Sequence, residues 1–174
     1  MSQVRVVPYD EGWPAAFAVE RTRLGELLAP WLAGDLAGDV VHVGSTSVPG
    51  LSAKPVLDLL AGVARLESAR QAFPLLEADG WTSGTHRPHE ALWLSRVAGA
   101  GPACHLHLTE VGSDLWRERL MFRDALRADP ARAAEYGRLK LRLAGEVADL
   151  RTYTERKRDF VRAVLADHGV ALDP

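Results

Sequence analysis

Apolar residues fall at helical spacing near the start of the chain and again through its last third, whereas the middle alternates short apolar runs with glycine-rich turns. Phe17, Leu24, Leu27, Leu28 and Trp31 share one face of a helix that the pattern predicts from about Pro14 to Leu32. Pro14 suits its first turn, where a missing N–H leaves no bond unmade. Before it, Val4-Arg5-Val6-Val7 reads as a short extended segment ended by Pro8. Gly34 and Gly38, with their aspartates, close the helix and lead to a strand at Val40-Val41-His42-Val43.

Val56 to Val63 has the length and apolarity of a central strand. Leu66, Ala69, Phe73 and Leu76 stripe an amphipathic helix closed at Gly80. Strands follow at Ala91–Val97 and Ala103–Val111, joined by the turn Gly99-Ala100-Gly101-Pro102. From Ser113 the signal is helical. Leu115, Phe122 and Leu126 mark one helix, and Asp129-Pro130 is a cap and first-turn pair for the next. Tyr136, Leu139, Leu143, Val147 and Leu150 stripe that second helix; Thr152 is a candidate cap for a third carrying Tyr153, Phe160, Val161 and Val164. The order implies an α/β fold of α+β layout: a small mixed sheet backed by helices, then a helical C-terminal portion. Residues 1–174 read as a single domain, with the N-terminal helix and sheet in 1–111 and the helical portion in 112–174.

Composition changes this picture little. The 47% hydrophobic and 25% charged content is that of an ordinary globular protein, and such a length buries roughly two thirds of its unfolded surface. A net charge of −2 gives no global attraction to nucleic acid or anionic membrane, so any basic site is local and neither partner is expected. No run approaches a membrane span, and the first residues lack the apolar core of a signal peptide, so the expectation is a cytoplasmic protein. Cys104 is the single cysteine; between Ala103 and His105 in a strand-like run, it reads as a small core residue.

The chemistry concentrates between His42 and Leu60. Gly44-Ser45-Thr46-Ser47 follows a strand directly, so its backbone N–H groups and hydroxyls either cradle an anion or form a polar connecting turn. Lys54 is not placed as a Walker A lysine would be. Asp58, among Leu57, Leu59 and Leu60, needs a partner or a cation if buried. His105 and His107 alternate onto one face of a strand in the same sheet. With Asp58 they make a two-His, one-carboxylate set that suits a transition metal; as alternatives they are hydrogen-bonded core residues or a cationic phosphate contact. Arg119, Arg123 and Arg127 share a helix face, which is either solvated or turned to a phosphate site.

Taken in order, these residues resemble the GrpB (UPF0157) family. The likeness runs through Val7-Pro8-Tyr9, Trp13 and Phe17, then His42-x-Gly-Ser-Thr-Ser-Val-Pro-Gly-Leu-x-Ala-Lys-Pro and His105-Leu106-His107-Leu108. It continues through Phe122-Arg123-Asp124-x-Leu126-Arg127 and Tyr136-x-x-Leu139-Lys140 to Tyr153 and Lys157. That family is similar to the polymerase-β-like nucleotidyltransferases and sometimes occurs fused to dephospho-CoA kinase. The resemblance implies a nucleotidyltransferase fold, a nucleoside triphosphate or coenzyme A-related ligand, and Mg²⁺ or Mn²⁺. Gly44, Ser45, Thr46, Ser47, Arg123, Lys140 and Lys157 would hold phosphates, Lys54 and Asp58 would be catalytic, and Asp58 would hold metal. The superfamily pattern has a second acid two residues after the first, where this chain has Leu60. That departure leaves three readings: metal-dependent nucleotidyl or phosphoryl transfer, a binding module without transfer, and a His/Asp metal-dependent hydrolase.

Overall fold

The computed structural model describes residues 4–34, 39–99, 101–147 and 149–171. Gly38 and Ala100, each assigned to a turn, lie outside them. Five strands form one sheet: β1 (Val40–Val43), β2 (Val56–Val63), β3 (Thr82–Gly84), β4 (Ala91–Arg96) and β5 (Ala103–Glu110), in the order β1-β2-β5-β4-β3. β2 and β5 run parallel, and the other pairings are antiparallel. Strand alternation therefore sorts the side chains onto two faces with different tasks.

One face is the core. Leu57, Leu59, Ala61 and Val63 of β2 and Cys104, Leu106 and Leu108 of β5 pack against Leu24 and Leu28 of α1 (Trp13–Leu28), and all of them are fully buried. Burying each leucine stabilises the fold by about 1.5–3 kcal/mol. α2 (Leu66–Ala69) and α3 (Phe73–Ala78) add Ala69 and Leu76 to the same cluster. The opposite face carries Asp58, Leu60, Trp93, His105 and His107. It is partly roofed by α4 (Asp114–Ala128), α5 (Pro130–Glu146) and α6 (Leu150–Asp167), which pack on one another.

Several element ends differ from the expected ones, each for a local reason. α1 stops at Leu28, because Pro30 has no N–H for the helical ladder and its ring blocks the preceding turn. The helix expected to run from Leu66 to Gly80 is broken: a tight turn at Arg70–Ala72 separates α2 from α3, whose first turn holds Pro74. β3 was not expected; Thr82, Ser83 and Gly84 are all exposed and show no alternation to read. β4 and β5 end one residue early, at Arg96 and Glu110. α5 ends at Glu146 rather than continuing to Leu150, which opens α6 and is 49% exposed. The cap of α6 is Asp149, whose carboxylate accepts from the Thr152 N–H at 2.9 Å, so Thr152 is the capped residue rather than the cap.

Candidate functional site

The turn after β1 brings the backbone against the central strand. Gly44 sits at φ 69° and ψ −171°, a conformation that side chains exclude, and Ser45–Ser47 form one tight helical turn beyond it. A Cβ on Gly44 would lie 2.3 Å from Asp58 Oδ2, so only glycine lets the turn approach the carboxylate this closely. Two of the three hydroxyls are used inside the turn. Ser47 donates to the Gly44 carbonyl at 2.6 Å, and Thr46 Oγ1 lies 2.9 Å from His42 Nε2. Both residues are buried, while Ser45 stays half-exposed. His42 stacks on Phe17 with ring centres 4.7 Å apart, and burial pushes its imidazole down to about 4, so it is neutral.

The helical layer holds this turn by its carbonyls. Arg123 donates to the His42 carbonyl at 3.2 Å and pairs with Asp124 at 2.7 Å. Arg127 donates twice to the Ser47 carbonyl, at 3.0 and 2.8 Å, and the Lys140 ammonium donates to the Ser52 carbonyl. Three cations from α4 and α5 thus fix three successive points of the segment from His42 to Ser52. Arg123, expected to contact phosphate, already has partners on both sides of its guanidinium.

Across the open face run Asp58, His105 and Trp93. Asp58 and His105 are paired in register, and His105 Nδ1 lies 3.2 Å from Asp58 Oδ1. Burial acts to raise the Asp58 carboxyl, but the His105 hydrogen bond and the charges of His105 and Arg119 outweigh it and hold it down at about 2. The carboxylate is still 35% exposed and remains open to a ligand. The half-buried Trp93 ring lies 5.3 Å from that of His105. Trp93 is not among the candidate residues named from the sequence. The signal that would have found Trp93 is its place opposite His107 in the β4–β5 register.

Leu60 is fully buried with Val43 and Trp116 in a small apolar cluster beneath α4. The position where the superfamily pattern has a second carboxylate is therefore sealed by packing. His107, the register partner of Leu60, is buried too, and its Nδ1 has no hydrogen-bond partner. Burial, reinforced by Arg119, pushes its imidazole down to about 3. His86 packs edge-on against it at 5.7 Å and is 3.4 Å from the Arg119 guanidinium.

Two lysines add positive charge beside Asp58. Lys140 lies over the Tyr136 ring at 4.7 Å and Lys157 over the Tyr153 ring at 4.3 Å. Burial pushes Lys140 down to about 7, helped by Lys157; burial and Lys54 push Lys157 down to about 8. Lys54, Lys140, Lys157 and Arg119 all lie within electrostatic reach of one another or of Asp58.

The donor set does not fit a two-metal centre. Mg²⁺ and Mn²⁺ favour oxygen ligands. This face offers one carboxylate, with one oxygen on His105, a sealed leucine at the second position, and a surround of ammonium and guanidinium groups. Among the described residues no three His, Cys, Asp or Glu side chains are placed to hold a metal ion. Asp58 and His105 are brought together, but His107 does not join them in the ligand set expected of the three. Cys104 lies on the core face, and burial pushes its thiol up to about 11, so it is inert.

The profile of the family described as GrpB protein matches residues 3–167. The chain belongs to the GrpB family. It is 33% identical over 170 residues to a UPF0157 protein of Streptomyces coelicolor, covering 97% of this chain and 86% of that one. It is 30% identical over 161 residues to UPF0157 protein YqkA of Bacillus subtilis, covering 92% of this chain but 46% of the longer relative. A dephospho-CoA kinase of Mycolicibacterium paratuberculosis is 32% identical over 171 residues, and the match spans 40% of its length. Among solved structures, the GrpB protein of Enterococcus faecalis superposes with a TM-score of 0.82 at 28% identity, covering 94% of this chain and 96% of that one. The Cid1 poly(U) polymerase in complex with the UTP analogue UMPNPP superposes with a TM-score of 0.53 at 15% identity, covering 80% of this chain and 43% of that one. That likeness is one of fold, and the fold is of nucleotidyltransferase type.

Proposed function

We propose that this GrpB chain binds a nucleoside triphosphate on its Asp58 face, with the phosphates between the Gly44–Ser47 turn and the ammonium groups of Lys54 and Lys157. The observation that carries this reading is the lysine pair on its aromatic bed. Burial depresses both Lys140 and Lys157, and a neighbouring ammonium adds to it in each case, Lys157 beside Lys140 and Lys54 beside Lys157. A bound anion relieves that repulsion, and backbone N–H groups of the adjoining turn add donors. Cid1, of the same fold type, carries a UTP analogue.

Transfer of a nucleotidyl or phosphoryl group is the second reading, favoured by the ionised Asp58 held by His105 at the position of the fold's first acid. The sealed Leu60 argues for binding as the first. The dephospho-CoA kinase relative makes coenzyme A and dephospho-CoA the ligands to test beside the triphosphates. Thermal unfolding of the purified protein is measured against ATP, GTP, CTP, UTP, coenzyme A and dephospho-CoA. A ligand at about 100 times its dissociation constant stabilises by about 2.7 kcal/mol. A shift with a triphosphate that disappears in Lys157→Ala supports the proposal, and pyrophosphate release then separates transfer from binding. The absence of any shift with triphosphates overturns it.

A further inference from the structure

We infer that this site takes its phosphorylated ligand free of a divalent cation, the protein's own cations standing where metal ions neutralise phosphate in a two-metal enzyme. The inference rests on the nucleotide-binding reading above and adds the chemical form of the ligand: the metal-free polyphosphate anion.

A two-metal site concentrates carboxylates so that a divalent cation meets negative charge before the phosphates arrive. Here the count is reversed. Against the single Asp58 carboxylate stand Lys54, Lys157 and Arg119, with the buried Lys140 held on the Ser52 carbonyl. Arg123 and Arg127 lie behind the turn on the His42 and Ser47 carbonyls. The apolar seat of Leu60 beside Val43 and Trp116 prevents a second acid from tipping the balance back. A lone Mg²⁺ entering this cluster meets net positive charge, whereas a triphosphate anion meets donors it can hydrogen-bond. The same arrangement makes Asp58 a repulsive neighbour for phosphate that the surrounding cations mask. Its defined contacts are the His105 ring and the close-packed Gly44 backbone.

The test is calorimetric titration of the full chain with ATP in excess EDTA and again in excess Mg²⁺. We expect ATP to bind in EDTA at least as tightly as MgATP does in the second buffer. Binding that requires Mg²⁺, or is strengthened by it about tenfold or more, overturns the inference while leaving the nucleotide-binding reading standing. No binding in either buffer overturns that reading and the inference with it. Asp58→Asn gives an independent arm, since the amide keeps the shape and removes the charge. Its ATP affinity in EDTA is expected to equal or exceed that of the wild type. A loss of about tenfold or more, in a variant whose unfolding transition is intact, assigns Asp58 an attractive role and overturns the charge argument.

Discussion

Replacing Gly44 by alanine tests whether the turn must touch the central strand. The backbone there, at φ 69° and ψ −171°, strains any residue with a Cβ by about 1–3 kcal/mol. The added methyl would also fall 2.3 Å from Oδ2 and 2.9 Å from Cβ of Asp58. β2 is held on both sides by β1 and β5, so either the turn lifts or the Asp58 side chain rotates off His105. That hydrogen bond to a charged group is worth about 1.5 kcal/mol, the lower end of the range because the pair is partly solvated. The total is about 2.5–4.5 kcal/mol, and the Asp58–His105 geometry is lost with it. Gly50→Ala is the control: φ is also positive, at 75°, but nothing lies within 4 Å of the new methyl, leaving strain of about 1–2 kcal/mol. Unfolding at a domain of this size shifts by roughly 2–4 °C per kcal/mol, so Gly44→Ala should melt several degrees below Gly50→Ala. It should also lose nucleotide binding, which the control retains. If Gly44→Ala melts no lower than the control and binds nucleotide normally, the close approach has no consequence and the reasoning fails.

Leu60→Asp, which restores the superfamily's second acid, should destabilise by about 4 kcal/mol or more, because it both empties an apolar seat and buries a carboxylate; a urea midpoint at the wild-type value would contradict this. Phosphate affinity should fall as pH rises. Lys140 and Lys157 lose their protons through about 7 and about 8 in the free protein, and phosphates bind the charged forms. Affinity is therefore fully present only below about pH 6 and declines as pH rises through about 7 and 8, so a flat titration profile between about pH 6 and about 9 would remove the lysines from the site. Arg127→Ala, which removes two hydrogen bonds to the Ser47 carbonyl, should cost about 1–2 kcal/mol and speed amide exchange in the turn, with the amides of α1 unchanged as the internal reference.

Much of the fold was legible because this chain writes its faces clearly. The uninterrupted apolar run of β2 and the alternating Cys104-Leu106-Leu108 against His105-His107 fix a buried central pair with one polar face. What the pattern concealed was local chemistry of other kinds. Pro30 and Pro74 cut helices that the hydrophobic spacing alone would extend, and the exposed β3 has no apolar side to announce it. Of the candidate residues named from the sequence, the structure brings Gly44 against Asp58 and Asp58 against His105. The sequence did not separate cations that hold the turn, such as Arg127, from the other cations of the helical layer. That distinction depends on which carbonyls lie within reach across 80 residues of chain, and no spacing rule records it. That position 60 holds no acid was visible in the sequence, while the apolar seat of Leu60 under Trp116 appears only in three dimensions.

Titration of ¹⁵N-labelled protein with ATP, followed at the backbone amides, shows directly whether nucleotide binds at the Asp58 face. We expect saturable shifts at Gly44, Ser45, Lys54 and His105, with a surface groove along α1 lined by Arg21, Thr22, Gly25 and Asp39 unchanged. Shifts confined to that groove, or none at saturating ATP, would contradict binding at the Asp58 face.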